Sequence, residues 1–282
     1  MIEEIRAKAA DLLRSGKAKC FIGYERASDG LTARPLFAYS EDDVERLVFD
    51  KTCAHNLARY LPDMKGQRVG ILVKPCDSRS INLLIQEGQV KREEVYIVGV
   101  VCEGIHRASW GRPSQELESR CKYCVRHVPV VYDHLVGQPP SSEPQPPASI
   151  PEVEDLEKRP AGERLEFWKG LFNRCIRCNA CRQICPSCYC PQCFSDQLDP
   201  LWTGIRIGLP QNWVWNIGRA LHLAGRCVDC EECQRACPMK IPLAILNRKL
   251  GQKVRGLFGF EAGLDPEIPI PFATFRKDED LR

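Results

Sequence analysis

Residues 174–186 read RCIRCNACRQICP and residues 226–238 read RCVDCEECQRACP, so one arrangement of cysteines occurs twice, 52 positions apart. Each follows the pattern C-x2-C-x2-C-x3-C-P. Thiolate is a soft ligand that suits iron–sulfur clusters and zinc alike. A zinc site closes with four ligands, commonly as two C-x2-C pairs, and has no use for a third step plus a cysteine backed by proline. Three thiolates two residues apart can instead wrap three irons of one cubane [4Fe-4S] cluster, leaving the cysteine before proline directed elsewhere.

In two-cluster ferredoxins that fourth cysteine binds the other cluster. The expected ligand sets are therefore Cys175, Cys178, Cys181 and Cys237 for one [4Fe-4S] cluster, and Cys227, Cys230, Cys233 and Cys185 for the second. Such clusters exchange single electrons, so the expected chemistry is electron transfer. The connection from Cys185 to Cys227 is long and carries a helical pattern. A mainly α-helical dicluster ferredoxin domain is expected, rather than the short strands and turns of a compact one.

These sets use eight of the 17 cysteines. Cys76 stands in VKPCDSR and Cys102 in VVCEG, each just after a short apolar run. If the two runs are neighbouring parallel strands, about 4.8 Å apart, both thiols leave the sheet at the edge where open α/β sheets bind ligands. CKYC adds Cys121 and Cys124 from the loop that follows. Four thiols at one edge point to a third [4Fe-4S] cluster, with zinc or metal-free buried thiols as alternatives. Lys74, Asp77 and Arg79 flank Cys76 and are the candidate cofactor-binding residues, able to contact a phosphate or tune a potential. CPSCYCPQC contributes Cys188, Cys190 and Cys193, which could join a further site with Cys20 or Cys53, serve as exchangeable redox thiols, or fill a loop beside a cluster. The five histidines have no paired spacing, and there is no G-x-G-x-x-G or phosphate loop, so no residue is assigned a catalytic role.

These residues need elements to hold them. Ile2, Ile5, Ala9, Leu12 and Leu13 have helical spacing, with Gly16 as a stop. RVGILV (68–73), a serine-capped helix in SRSINLLIQEG (78–88) and EVYIVGVV (94–101) make a strand–helix–strand unit with parallel pairing, and VPVVY (128–132) could add a strand. Residues 1–136 thus form an α/β domain with a partly parallel sheet. Residues 137–160, rich in proline, serine and acids, form a linker, and residues 161–282 the ferredoxin domain. Within it GERLEFWKGLFNRC is an amphipathic helix. NWVWNIGRALHLAGRC is another, with Asn212 as cap, Gly225 as stop, and Trp213, Ile217, Leu221 and Ala224 on one face. IPLAILNRKLG is a third, closed by glycine, and RKDEDLR ends the chain as a solvated tail.

At 282 residues the chain can bury two cores. A net charge of +3 against 40 basic and 37 acidic residues, without a long block of one sign, argues against nucleic acid as a partner. No stretch approaches the roughly 18 apolar residues of a membrane span, and the N-terminus has the acids of an amphipathic helix instead of a signal peptide. Seventeen cysteines then imply reduced thiols in the cytoplasm, free to bind metal.

The combination of KPCDSR, CEG, CKYC and the doubled cysteine module resembles the beta-subunit family of the deazaflavin (coenzyme F-420) hydrogenases and formate dehydrogenases, over roughly residues 68–130 and again in the ferredoxin module. The resemblance implies that Cys76, Cys102, Cys121 and Cys124 surround one cluster beside a flavin, FAD. Lysine and aspartate replace the family's usual threonine and glutamine near Cys76, its C-x-E is shortened to Cys-Glu, and the chain leaves the pattern soon after Cys124. The expectation is a non-catalytic iron–sulfur subunit relaying electrons within an anaerobic oxidoreductase. Its partners would be catalytic hydrogenase or dehydrogenase subunits, flavin subunits or heterodisulfide-reductase-like subunits. The alternatives are a flavoenzyme reducing a deazaflavin or nicotinamide, and a metal-stabilised interaction protein.

Overall fold

The N-terminal pattern forms α1 (Ile2–Arg14), which buries Ile5, Ala9 and Leu12 on one face. Gly16 follows at φ +68°, a conformation glycine adopts without steric cost. Next come two strands absent from the sequence-based expectation, β1 (Cys20–Arg26) and β2 (Ala33–Ala38), paired antiparallel. Residues 20–25 are all buried, so β1 lacks the alternation that marks a half-exposed strand. The computed structural model describes residues 1–109, 112–142, 144 and 150–272.

A one-turn helix α2 (Glu41–Val44) precedes the predicted strand–helix–strand unit: β3 (Val69–Val73), α3 (Pro75–Gln86) and β4 (Val95–Val100). A hairpin, β5 (His106–Ser109) and β6 (Arg112–Leu117), leads to α4 (Ser119–Lys122) and β7 (His134–Val136). The main sheet runs β2-β1-β3-β4-β7, parallel at every pairing except β1 with β2. Two boundaries differ from expectation. Helix α3 starts at Pro75, whose missing N–H is harmless in a first turn; Asp77 accepts from the Lys74 N–H (2.9 Å), while Ser78 turns back to the Pro75 carbonyl instead of capping. The final strand lies at 134–136 and not 128–132. Pro129 cannot donate to a ladder, and the Val130 N–H goes to Ser78 Oγ (2.9 Å).

The chain divides into two compact units, Met1–Pro147 with Gly263–Pro266, and Ala148–Ala262 with Glu267–Arg282. The second contains α5 (Pro151–Glu157), α6 (Ala161–Asn173), α7 (Ala180–Gln183), α8 (Leu209–His222), α9 (Glu232–Arg235) and α10 (Leu243–Phe258). Part of the expected linker is thus helical: α5 has proline and acids in its first turn, buries Val153 and Leu156, and pairs Glu157 with Lys249 of α10. Helix α10 passes through Gly251, where the space is open. It ends at Gly259, φ +62°, because Val254 carries its buried face another turn. The tail 276–282 lies outside the described residues.

Asn212 is not the cap of α8, which starts at Leu209. It is buried inside the helix, where its Nδ2 donates to the carbonyls of Phe172 (2.9 Å) and Cys175 (2.7 Å). The Phe172 carbonyl, in the last turn of α6, also accepts from the Cys175 N–H (3.0 Å), and the Cys175 carbonyl lies just past the helix end. Asn212→Ala removes the Cys175 carbonyl's side-chain donor, while the Phe172 carbonyl keeps the Cys175 N–H (3.0 Å), and is expected to destabilise this unit by about 1 kcal/mol, measured as a melting temperature lower by roughly 4 °C. Among the described residues no helix is long and apolar enough to cross a membrane.

Candidate metal centres

The two repeated motifs have one backbone. Arg177 and Asn179 in the first, and Asp229 and Glu231 in the second, are left-handed at φ 49°, 61°, 57° and 52°. None is glycine, and the conformation costs an ordinary residue about 1–2 kcal/mol, so the surrounding contacts must hold these turns. After them α7 and α9 each make one turn before Cys185 and Cys237. The Cys181 sulfur lies within electrostatic reach of Cys175, Cys237 and Cys178. Cys227, Cys230 and Cys233 share such reach with Cys185. Cys185 thus lies among the first three cysteines of the second motif, and Cys237 in reach of Cys181 of the first.

Both groups fit an iron–sulfur cluster in donor chemistry. Cys185, Cys227, Cys230 and Cys233 line one cavity with Arg219 and Asn247. The Ile241 N–H donates to Cys237 Sγ (3.5 Å) and Asn247 Nδ2 to Cys233 Sγ (3.7 Å), the sulfur hydrogen bonds that tune cluster potentials. Burial pushes the Cys227 thiol up to about 12 and raises Cys181 and Cys233 as well. Cys185, grouped with Cys227 and Cys233, is instead pulled down to about 6 by its hydrogen bond with Cys188, and metal binding would release the protons of all four, since thiolate is the ligand form. Among the described residues no three Cys, His, Asp or Glu side chains close on a single metal ion. A zinc site, with bonds of about 2.3 Å, would draw sulfurs to roughly 3.8 Å of one another; a cubane spreads its ligands over a wider cage.

A third group forms in the first unit. β3 and β4 pair in parallel with Val73 opposite Gly99, so Cys76 and Cys102 leave at one sheet edge, Cys76 in the first turn of α3. Cys76 is within electrostatic reach of Cys102, and Cys102 of Cys121 and Cys124. The Ile105 N–H donates to Cys121 Sγ (3.3 Å). The backbone of Cys102 is clamped from both sides: its N–H donates to the His127 carbonyl (2.9 Å), and its carbonyl lies 2.7 Å from His127 Nδ1. Burial pushes Cys102 up to about 11 and Cys76 further.

The three flanking candidates divide. Lys74 and Asp77 are 1% and 0% exposed and form an ion pair at 2.9 Å, while Arg79 is half-buried further along α3. The Lys74 ammonium also donates to the His55 carbonyl (2.9 Å) and to the Tyr24 hydroxyl. Burial opposes its charge, but Asp77 and Cys76 more than offset this and hold its pKa above the usual lysine range. A second cation, Arg120, is buried beside Cys76 and donates to the Ala54 carbonyl (2.6 Å). Arg120 stands next to CKYC in sequence, yet no spacing rule marks it.

Cys188 hydrogen-bonds Cys185, Cys193 contacts Arg182, and Cys190 is exposed. Cys20 and Cys53 are buried in the first unit, where burial raises them to about 11 and about 12. The sequence-based expectation also misses Arg219 on α8, which reaches thiols of both repeated motifs.

No protein-family model matches the sequence. The chain is 23% identical to the F420-dependent formate dehydrogenase subunit beta of Methanocaldococcus jannaschii, over 89% of this chain and 89% of the relative. It is also 23% identical to F420-dependent formate dehydrogenase 1 subunit beta of Methanococcus maripaludis, over 92% and 89%. A chain of the F420-reducing [NiFe] hydrogenase complex from Methanosarcina barkeri shares 14% identity over 36% of this chain and 38% of that one, with a TM-score of 0.31. The first two similarities run nearly end to end in both partners, so along almost its whole length the chain resembles the beta subunits of F420-dependent formate dehydrogenases.

Proposed function

We propose that this chain is an electron-transfer subunit of a multi-subunit F420-dependent oxidoreductase of the formate dehydrogenase or hydrogenase type, with three [4Fe-4S] clusters. Bound clusters would supply one-electron relay at potentials somewhere within about −700 to +450 mV. Cys76, Cys102, Cys121 and Cys124 would hold one in the α/β unit. Cys175, Cys178, Cys181 and Cys237, and Cys227, Cys230, Cys233 and Cys185, would hold two in a ferredoxin-like helical unit. The observation that carries the reading is that Cys185 lines one cavity with Cys227, Cys230 and Cys233 while Cys237 lies in reach of Cys181, the crossed grouping that a pair of clusters would use.

The residues around the thiols support a relay over a catalytic site. Ile105, Ile241 and Asn247 donate to sulfur and Lys74, Arg120 and Arg219 place positive charge beside it. The names of the relatives place them in dehydrogenase complexes, so the partners proposed here are the catalytic subunits of such an assembly. The test is the metal and flavin content of anaerobically purified chain. About 12 iron and as much acid-labile sulfide, with EPR signals on reduction, are expected. Zinc in place of iron would overturn the reading, and stoichiometric flavin would turn it from relay to flavoenzyme.

A further inference from the structure

Arg219 lies on the buried face of α8 and is 5% exposed. Its Nη2 donates to the Cys181 carbonyl (2.9 Å), its guanidinium contacts Cys188, and its Nε has no hydrogen-bond partner. Among the described residues no carboxylate pairs with it. The charges within its reach are sulfurs: Cys185 and Cys233 from one ligand group, Cys181 from the other, and Cys188 beside them. A buried guanidinium without an anion is strongly destabilising. The anions this one faces are the two cysteine groups themselves, each negative when its thiolates are bound to a cluster.

We infer that Arg219 is a positioning residue shared by the two clusters of the helical unit: one fixed positive charge set against both, raising both reduction potentials together. The inference rests on the proposed function. Adding an electron makes a thiolate-bound cluster more negative, so a nearby cation stabilises the reduced form. Water cannot screen the interaction at a buried site as it would at the surface. Because the charge faces both ligand groups, it moves both potentials in the same direction and leaves the difference between them, which governs electron exchange between the clusters, little changed.

The test is an EPR-monitored redox titration of the full chain, with iron counted in each variant. Arg219→Gln keeps a hydrogen-bond donor and removes the charge. Its reduction equilibria at both helical-unit clusters are expected to shift about tenfold towards the oxidised form, which is about 59 mV for one electron, with the third cluster unmoved. A shift at one cluster only, or at neither, with iron content intact, would overturn the inference and leave the proposed function standing. Absence of iron from the wild-type chain would overturn the proposed function as well. Should the glutamine variant fail to assemble, Arg219→Lys decides: potentials within threefold of wild type support a charge effect, and a tenfold fall at both clusters refutes it.

Discussion

Cys237→Ala combined with Cys175→Ala is expected to leave about 8 iron per chain, whereas Cys237→Ala combined with Cys227→Ala should leave about 4. The first pair removes two ligands of one cluster and the second removes a ligand from each of two. If each motif instead enclosed its own cluster, the two results would exchange places. The reason for expecting the exchanged arrangement is electrostatic proximity: Cys181 is grouped with Cys237, and Cys185 with Cys227, Cys230 and Cys233. The matching left-handed residues, Arg177 with Asp229 and Asn179 with Glu231, give both motifs the same turn. A one-turn helix, α7 or α9, then starts just before the third cysteine of each motif and carries the chain to the last one. Single variants are less informative, since a cluster that loses one ligand can keep part of its iron. Iron and sulfide analysis of the two double variants, with EPR of the reduced samples, distinguishes the arrangements.

The two cysteine motifs were legible because their signal is spacing, which survives without knowledge of tertiary contacts, and the structure gives both the same left-handed turns. The expected β3–α3–β4 unit was legible for a related reason: two short apolar runs around a helical stretch admit few arrangements, and the parallel register with Val73 opposite Gly99 is one of them. β1 escaped because its buried residues do not alternate. Helix α8 shows the more instructive failure. Of its apolar stripe, Trp213 and Ile217 do pack against the cluster around Phe172, Ile241 and Leu243, but Leu221 is exposed. The buried face is Asn212, Trp215, Asn216, Arg219 and Ala220. Their spacing is as helical as that of the apolar stripe. Periodicity of hydrophobic residues finds a face that packs on hydrocarbon, and this one packs on carbonyls and sulfur. Asn212 is buried where it donates to the carbonyls of Phe172 and Cys175, and Arg219 where it reaches the thiols of both motifs. A polar residue inside an amphipathic helix beside a metal motif is therefore evidence about the site, and hydropathy alone discards it.

In the α/β unit the same logic places a charge pair where a core would ordinarily be apolar. Lys74→Met is expected to reduce the opening free energy of β1, β3 and α3 by about 3–5 kcal/mol, the range for breaking a buried ion pair from one side. Asp77 would be left without its cation, and burial already pushes its carboxyl up, so it would take a proton. The Tyr24 hydroxyl would still donate to the His55 carbonyl (2.5 Å), which keeps that acceptor satisfied and confines the damage to the pair. Adding Asp77→Asn should recover most of the loss, because an amide oxygen can still accept from the Lys74 backbone N–H that now binds Asp77 (2.9 Å). Native-state hydrogen exchange reads these amides separately from the helical unit, which matters because a metal-bound two-unit chain does not unfold in one step. If the double variant is as unstable as the sum of the singles, the pair is not what secures this edge. If it recovers stability yet the cluster proposed at Cys76, Cys102, Cys121 and Cys124 falls in potential, Lys74 serves that cluster as a charge rather than the fold as a tie.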